Sequence, residues 1–281
     1  MKFLLNTIAM GLTVVSIFSS PLTQAETVAS ISFRDPVTQA NKVSSNLVVN
    51  QQAAQNPQQD TNWKNVPTQI INAGGVNFAY REYGQQNGGT PIIFLNHLAA
   101  VLDNWDPRVI DGIAAKHHVV VFDNRGVGAS TGEPAKSIEQ MADDAITFIQ
   151  AKGFKKVDLF GFSMGGMISQ EIVLKQPQLI RKMILSGTGP AGGTGISTVG
   201  RVSNWDLVRG MATRQDPKVY LFFTRTENGK AAAKAFVQRI NERTENRDKE
   251  IMLSAYRAQL KALKNGEVKN LLTFQLFNNP S

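Results

Sequence analysis

Leu159-Phe160-Gly161-Phe162-Ser163-Met164-Gly165-Gly166 is the stretch that decides the fold. It holds a G-x-S-x-G spacing between an apolar run, Lys156 to Phe160, and a helical stretch, Met164 to Gln176, stopped by Pro177. A serine on a sharp strand-to-helix turn must take a strained backbone with positive φ. Neighbouring chain then passes close to the positions two before and two after it, and Gly161 and Gly165 leave room there. The turn lifts the Ser163 hydroxyl above the sheet and sets it at a helix N-terminus. The dipole and free N–H groups of that end favour a developing oxyanion. Ser163 is the expected nucleophile, and the Met164 amide one oxyanion donor.

Working outward, the elements alternate. Thr68 to Asn72 and Val76 to Tyr83 read as two strands joined through Gly74-Gly75, a hairpin signal. Pro91 to Leu95 and His118 to Phe122 are short apolar runs of the buried-strand kind. Asn104 to Lys116 is helix-like. Ser137 caps a helix, with Gln140 completing a capping box and Gly153 at its C-terminal stop. The apolar residues Ile138, Met141, Ala142, Ala145, Ile146 and Ile149 lie on one face of that helix. Arg181 to Leu185 is a further strand, and residues 201–265 are mainly helical in pattern. The fold class expected is α/β: a mostly parallel sheet with helices on both faces, an antiparallel hairpin at one edge and a helical lid region over about 187–265.

Two further stretches carry a family likeness. Phe94-Leu95-Asn96-His97-Leu98-Ala99-Ala100-Val101-Leu102-Asp103-Asn104-Trp105 and Asp123-Asn124-Arg125-Gly126-Val127-Gly128-Ala129-Ser130 precede the Ser163 turn in order. Together the three resemble the α/β-hydrolase superfamily, of the lipase, esterase and haloperoxidase kind, over about 68–265. The resemblance implies a serine hydrolase acting on a small-molecule ester or related acyl bond, with no cofactor and no metal. It makes Phe94 to Trp105 the oxyanion loop, with the Leu98 amide as second donor. Asn96-His97-Leu98 stands where the family usually carries His-Gly. The Asp123 to Ser130 turn is assigned a structural role and no chemistry.

The same resemblance sets the family's chain order as Ser, then Asp or Glu, then His. The three histidines are His97, His117 and His118, and none follows Ser163. Leu271 to Phe277 reads as a possible further strand, followed only by Asn278-Asn279-Pro280-Ser281. No catalytic acid and no catalytic histidine can be assigned, and Asp206 and Asp216 in the lid region are not promoted. The expectation is a C-terminally truncated member with little turnover of its own. Two other readings stay open: a non-catalytic binding protein on this fold, and a cofactor-free haloperoxidase or lactonase. His97 as a substitute base is the less favoured reading beside a loop histidine packed behind the site. His117-His118 point to opposite faces as they enter a strand, which argues against a shared metal ion. Gly187-Thr188-Gly189-Pro190-Ala191-Gly192 matches G-x-G-x-x-G, but no helix opens from it and no strand follows, so a dinucleotide site is not expected.

Composition bounds the rest. The chain has 281 residues, net charge +8 and no cysteine, which excludes disulfides and thiolate metal sites. Its basic residues are scattered, without the one-signed stripe that nucleic acid would need. Arg239 to Lys249 interleaves both signs and reads as a solvated helix face. Residues 1–25 read as a signal peptide cleaved after Ala25, the alternative being an N-terminal membrane anchor. Residues 26–66, rich in Gln and Asn, read as a flexible leader, and 67–281 as the hydrolase domain. An exported protein, periplasmic or secreted, with no integral membrane span after signal cleavage, is the expectation.

Overall fold

A computed structural model describes residues 15–18, 62–189 and 195–264, apart from the side chains of residues 15–18 and Ser197. The chain divides into two compact units, residues 1–19 with 61–281, and residues 20–60; every described residue belongs to the first. The Leu271 to Phe277 run and the end of the Gly187 to Gly192 motif lie outside the described residues.

Seven described strands form one mixed sheet: β1 (Val15–Phe18), β2 (Gln69–Ala73), β3 (Val76–Tyr83), β4 (Ile92–Leu95), β5 (Val119–Phe122), β6 (Val157–Phe162) and β7 (Ile180–Ser186). Their order is β1-β7-β6-β4-β5-β3-β2. The β5–β4–β6–β7 centre is parallel, and the flanking pairs are antiparallel. The expected hairpin is β2–β3, and its turn residues Gly74 and Gly75 both have positive φ, 57° and 79°. That is the backbone a two-residue hairpin turn demands, and glycine takes it without steric cost.

Helices α1 (Pro107–Ala114), α2 (Ile138–Ala151) and α3 (Met164–Lys175) connect the parallel strands. The apolar face of α2 packs with α3 on one side of the sheet, burying Phe78, Ile93, Leu95, Phe122, Phe148 and Leu159. On the other side α1 covers Phe94, Val119 and Val121, with Trp105. Burial on both sides is why β4 and β5 read as unbroken apolar runs rather than alternating ones. At α2 the Ser137 Oγ accepts from the Gln140 amide at 3.1 Å. The return bond differs from a capping box by one residue: Gln140 Oε1 accepts from Lys136 N, 3.2 Å, not from the Ser137 amide.

The lid region is helical, as expected: α4 (Val199–Thr213), α5 (Lys218–Phe222), α6 (Glu227–Ile240) and a helix over residues 253–264, α7. Two expectations are corrected. Trp63 and Val66, placed by composition in the leader, are 3% and 1% exposed, so packed chain begins ahead of Pro67. Trp63 docks by donating its amide to Asp111 Oδ1 at 2.7 Å, and an aromatic anchor of this kind outweighs the polar texture around it. Arg239 to Lys249 is not a solvated helix face. The helix stops at Ile240, and Arg243 turns inward, donating from Nη1 to the Val66 carbonyl at 2.9 Å. In the uncleaved chain the outer edge of β7 is paired: residues 15–18, within the stretch read as a signal peptide, pair with Lys182 to Leu185. An open strand edge attracts whatever extended apolar segment can reach it.

Candidate active site

The sharp turn forms where the spacing places it. Strand β6 runs on through Phe162, and Ser163 sits between it and α3 with φ 53° and ψ −115°. Such a backbone costs about 1–3 kcal/mol in a non-glycine residue and persists only where the surroundings over-determine it. Here they do. The Ser163 amide donates to Ser186 O at 2.9 Å. Its carbonyl accepts from Thr188 Oγ1 at 2.7 Å and from Gly166 N at 2.9 Å.

The glycines are needed for close approach. A Cβ on Gly165 would lie 2.5 Å from the Leu95 carbonyl carbon and nearer still to its oxygen. A Cβ on Gly161 would lie 2.6 Å from Gly165 O, and Ser169 Oγ fills the remaining space. Ser169 is held there by donating to Gly165 O at 2.8 Å. Gly166 is also required, because its Cβ would meet the Thr188 side chain at 2.5–2.7 Å. The motif is therefore G-x-S-x-G-G in steric terms, and Thr188 belongs to it. Sequence reasoning missed Thr188 because it lies inside the stretch set aside as a false dinucleotide signature.

Ser163 is half-buried, and its Oγ makes no hydrogen bond among the described residues. Met164, the first residue of α3, has an amide with no partner within its own helix. Opposite lies the loop after β4. Leu98 is half-buried there and packs against the core beneath α3. The neighbouring Ala99 takes a left-handed backbone, φ 64°, and donates its amide to Gln259 Oε1 at 2.8 Å. Gln259 comes from α7 and is almost fully buried, so residues 253–264 hold the loop after β4 in shape. No local pattern announces a contact spanning 160 residues.

The unusual Asn96-His97 pair is also accounted for. Asn96 Oδ1 accepts from Trp105 Nε1 at 2.7 Å, and its Nδ2 donates to Phe122 O at 3.2 Å. The pair ties the loop to β5. His97 is buried between Phe162 and Phe222, with ring centroids 5.2 and 5.6 Å away. Its Nδ1 lies 2.7 Å from Leu98 O, so the neutral ring donates there. It makes no hydrogen bond with Ser163 among the described residues. Burial is the main force pushing its pKa down, to about 4; the Leu98 carbonyl and Asp216 oppose this, and Lys218 adds to it. A group so reluctant to take a proton is a poor general base.

The Asp123 to Ser130 turn is structural as expected. Ser130 Oγ donates to Asp123 O at 2.9 Å, and the Ala79 amide donates to Ser130 Oγ at 2.9 Å. Arg125 grips Asp144 with two hydrogen bonds. Asp123 itself is buried. Burial and a hydrogen bond with Asp248 hold its carboxyl well above the usual carboxylate range. His118 Nε2 contacts Glu82 Oε1 at 2.8 Å while His117 is exposed, so the two rings do face apart. Among the described residues no cluster of three metal-ligating side chains occurs, and no helix is long and apolar enough to cross a membrane.

Residues 90–259 match the family model of the alpha/beta hydrolase fold. This chain belongs to that family. An alpha/beta hydrolase fold protein from Chitinophaga pinensis shares 34% identity and a TM-score of 0.68, over 74% of each chain. The enol-lactonase of Burkholderia xenovorans LB400, at 19% identity and TM-score 0.53 over 71% of this chain and 74% of that one, shares the fold. Among curated proteins, "Putative non-heme bromoperoxidase BpoC" of Mycobacterium tuberculosis is 28% identical over 114 residues, 40% of this chain and 42% of that protein. The chain spans about two-fifths of the length of the curated relatives it matches.

The buried His97 makes a testable pH effect. Its folded pKa of about 4 lies below the ordinary 6.5, so the unfolded chain binds the extra proton first. Stability from this group is full above pH 6.5 and falls as pH drops toward 4, by ~3 kcal/mol at about 1.4 kcal/mol per unit. Asp123 acts in the opposite sense, since its raised pKa favours the folded state at low pH and loses that contribution as pH rises. His97→Asn keeps a donor for Leu98 O and removes the titration. Urea unfolding at stepped pH should show a flatter slope in that window for the variant than for the parent; equal slopes would refute the assignment.

Proposed function

We propose that this alpha/beta hydrolase is a serine hydrolase, attacking an ester or related acyl bond of a small molecule with Ser163 Oγ. The observation that carries it is the Ser163 backbone, φ 53° and ψ −115°, at the head of α3. A fold spends strain of this kind to present a nucleophile. On this reading Ser163 Oγ bonds to the acyl carbon, the alkoxide leaves with a proton, and water later releases the acid. The Met164 and Leu98 amides are the proposed donors to the tetrahedral oxygen.

The proton acceptor is the weak point of the described site. His97 is spent on Leu98 O and held neutral, and Ser163 Oγ has no base against it among the described residues. Loss of the base in a serine protease costs about 10⁶ in turnover. The 281-residue chain alone is expected to hydrolyse short activated esters at a rate lowered by roughly that factor from that of a complete triad. Brisk turnover that disappears in Ser163→Ala would refute this and make His97→Ala the next variant.

The same lack of a base favours a second reading, a non-catalytic binding protein on this fold. Prolonged incubation with a fluorophosphonate separates the two. A slow adduct on Ser163, absent from Ser163→Ala in intact-mass spectra, supports the hydrolase; a chain that stays unmodified supports the binding protein. A relative named as a bromoperoxidase keeps haloperoxidase chemistry as a branch of the hydrolase reading, tested by bromination of a phenol when acetate, hydrogen peroxide and bromide are supplied together. Export with cleavage after Ala25 is proposed as well, which would remove Val15–Phe18 from the edge of β7 in the mature protein. N-terminal sequencing of the mature protein tests it, and an intact Met1 or blocked start would refute cleavage.

A further inference from the structure

Helix α4 is turned inside out. Its inward side carries Asp206, buried, and Gly210, which sits against Gln215 O and Pro217. Its outward side carries Val202, Trp205, Val208 and Met211, 51%, 70%, 52% and 65% exposed. These four recur every third residue. At about 100° per residue the four slant across half the circumference of the helix, with Trp205 and Val208 near the middle and Val202 and Met211 at the two flanks. Arg201 and Arg209 fall within the same outward sector, and Arg225 lines the cleft of about 980 Å³ that runs beside Trp205 and Tyr220. The Arg209 guanidinium lies 4.1 Å from the centre of the Tyr220 ring. Asp206 is the only acid in Val199–Thr213, and it faces in, so the outward face has no carboxylate.

A water-facing helix normally puts its acids outward and its apolar residues inward. An apolar stripe with a tryptophan, bordered by arginines and free of acids, suits an interface where one side is hydrocarbon and the adjoining layer is negatively charged. We propose that the outer face of α4 docks the protein on an anionic lipid surface, with Trp205 and Val208 entering the acyl boundary, Val202 and Met211 flanking them, and Arg201, Arg209 and Arg225 meeting the headgroups. Charge complementarity selects this occupant over another copy of the chain. The net charge is +8, and a second copy would bring the same arginines to the same face. The proposal stands apart from the chemistry at Ser163.

The tryptophans make a direct probe. Of Trp63, Trp105 and Trp205, the first two are buried and only Trp205 is exposed. Mixing the full chain with phosphatidylglycerol vesicles at low salt should shift Trp205 emission to the blue and carry the protein down with the vesicles. Phosphatidylcholine vesicles should not, and high salt should weaken the effect. Arg201→Gln with Arg209→Gln should lower vesicle affinity about tenfold or more, and Trp205→Ser should reduce co-sedimentation. Circular dichroism checks that each variant keeps its helix content. Four results would overturn the proposal. Emission already blue in the free protein means the chain covers the stripe itself. A shift that grows with protein concentration without vesicles means a second copy covers it. Equal binding to neutral vesicles, or an unaffected arginine variant, means the charge is not used.

Discussion

Gly165→Ala is expected to destabilise the fold severely. The added Cβ would lie 2.5 Å from the carbonyl carbon of Leu95 and closer to its oxygen, and both are backbone atoms at the end of β4. No rotamer change relieves a clash with backbone. Either α3 moves off the sheet or β4 moves out of its ladder with β6, which pairs Leu95 with Gly161. Overpacking a tight core commonly costs about 1–3 kcal/mol and more where backbone must shift, against a total stability of only about 5–15 kcal/mol. A loss of about 4 kcal/mol or more is expected, seen as a much lowered urea midpoint or as insoluble protein. Gly112→Ala is the control. Gly112 lies within α1 with open space around it, so alanine there should gain about 0.5–1 kcal/mol. A Gly165→Ala variant as stable as its parent would mean that α3 does not seat against β4 as described.

Asp103→Ala is expected to cost about 3–5 kcal/mol, because it strands a buried guanidinium. Arg81 is 0% exposed, and its Nη1 lies 2.7 Å from Asp103 Oδ1. The approach is off the hydrogen-bond direction, so charge rather than alignment holds the pair; Arg81 Nε donates instead to Thr68 Oγ1 at 3.0 Å. Asp103 also accepts from the Asp248 amide at 2.7 Å and lies 3.9 Å from Arg243 and 3.8 Å from Arg247. One carboxylate thus gathers β3, the loop after β4 and the segment between α6 and α7. Two-probe urea unfolding should show the loss. Arg81→Met with Asp103→Leu should recover much of it, since an apolar pair avoids the desolvation of both charges. A change within 1 kcal/mol for Asp103→Ala alone would mean water or a neighbouring acid replaces the lost partner.

These two sites differ in how visible they were beforehand. The elbow is local: Gly161, Ser163 and Gly165 are five residues of continuous chain, and the apolar run and helical stretch on either side are local too. The steric demand of one turn is written entirely within it. The Asp103 cluster joins residues from Arg81 to Asp248, and only the burial of Arg81 makes it costly. Nothing in the texture of Arg239 to Lys249 distinguishes Arg243, which is buried, from Glu242, Thr244 and Glu245 beside it, which are exposed.

By itself, then, the amino-acid sequence determined the alternation of strands and helices, the β2–β3 hairpin, the position of the strained serine and the structural part played by the Asp123 turn. Each follows from side-chain period, turn residues or glycine spacing, which act over a few residues. Tertiary structure alone decided that Thr188 locks the Ser163 carbonyl, that Gln259 shapes the loop after β4, that His97 is a neutral packing residue and that residues 15–18 of the uncleaved chain line the outer edge of β7. It also decided which side of α4 meets water. Those outcomes depend on which distant groups desolvate one another, and desolvation is a property of the packed chain rather than of any stretch within it.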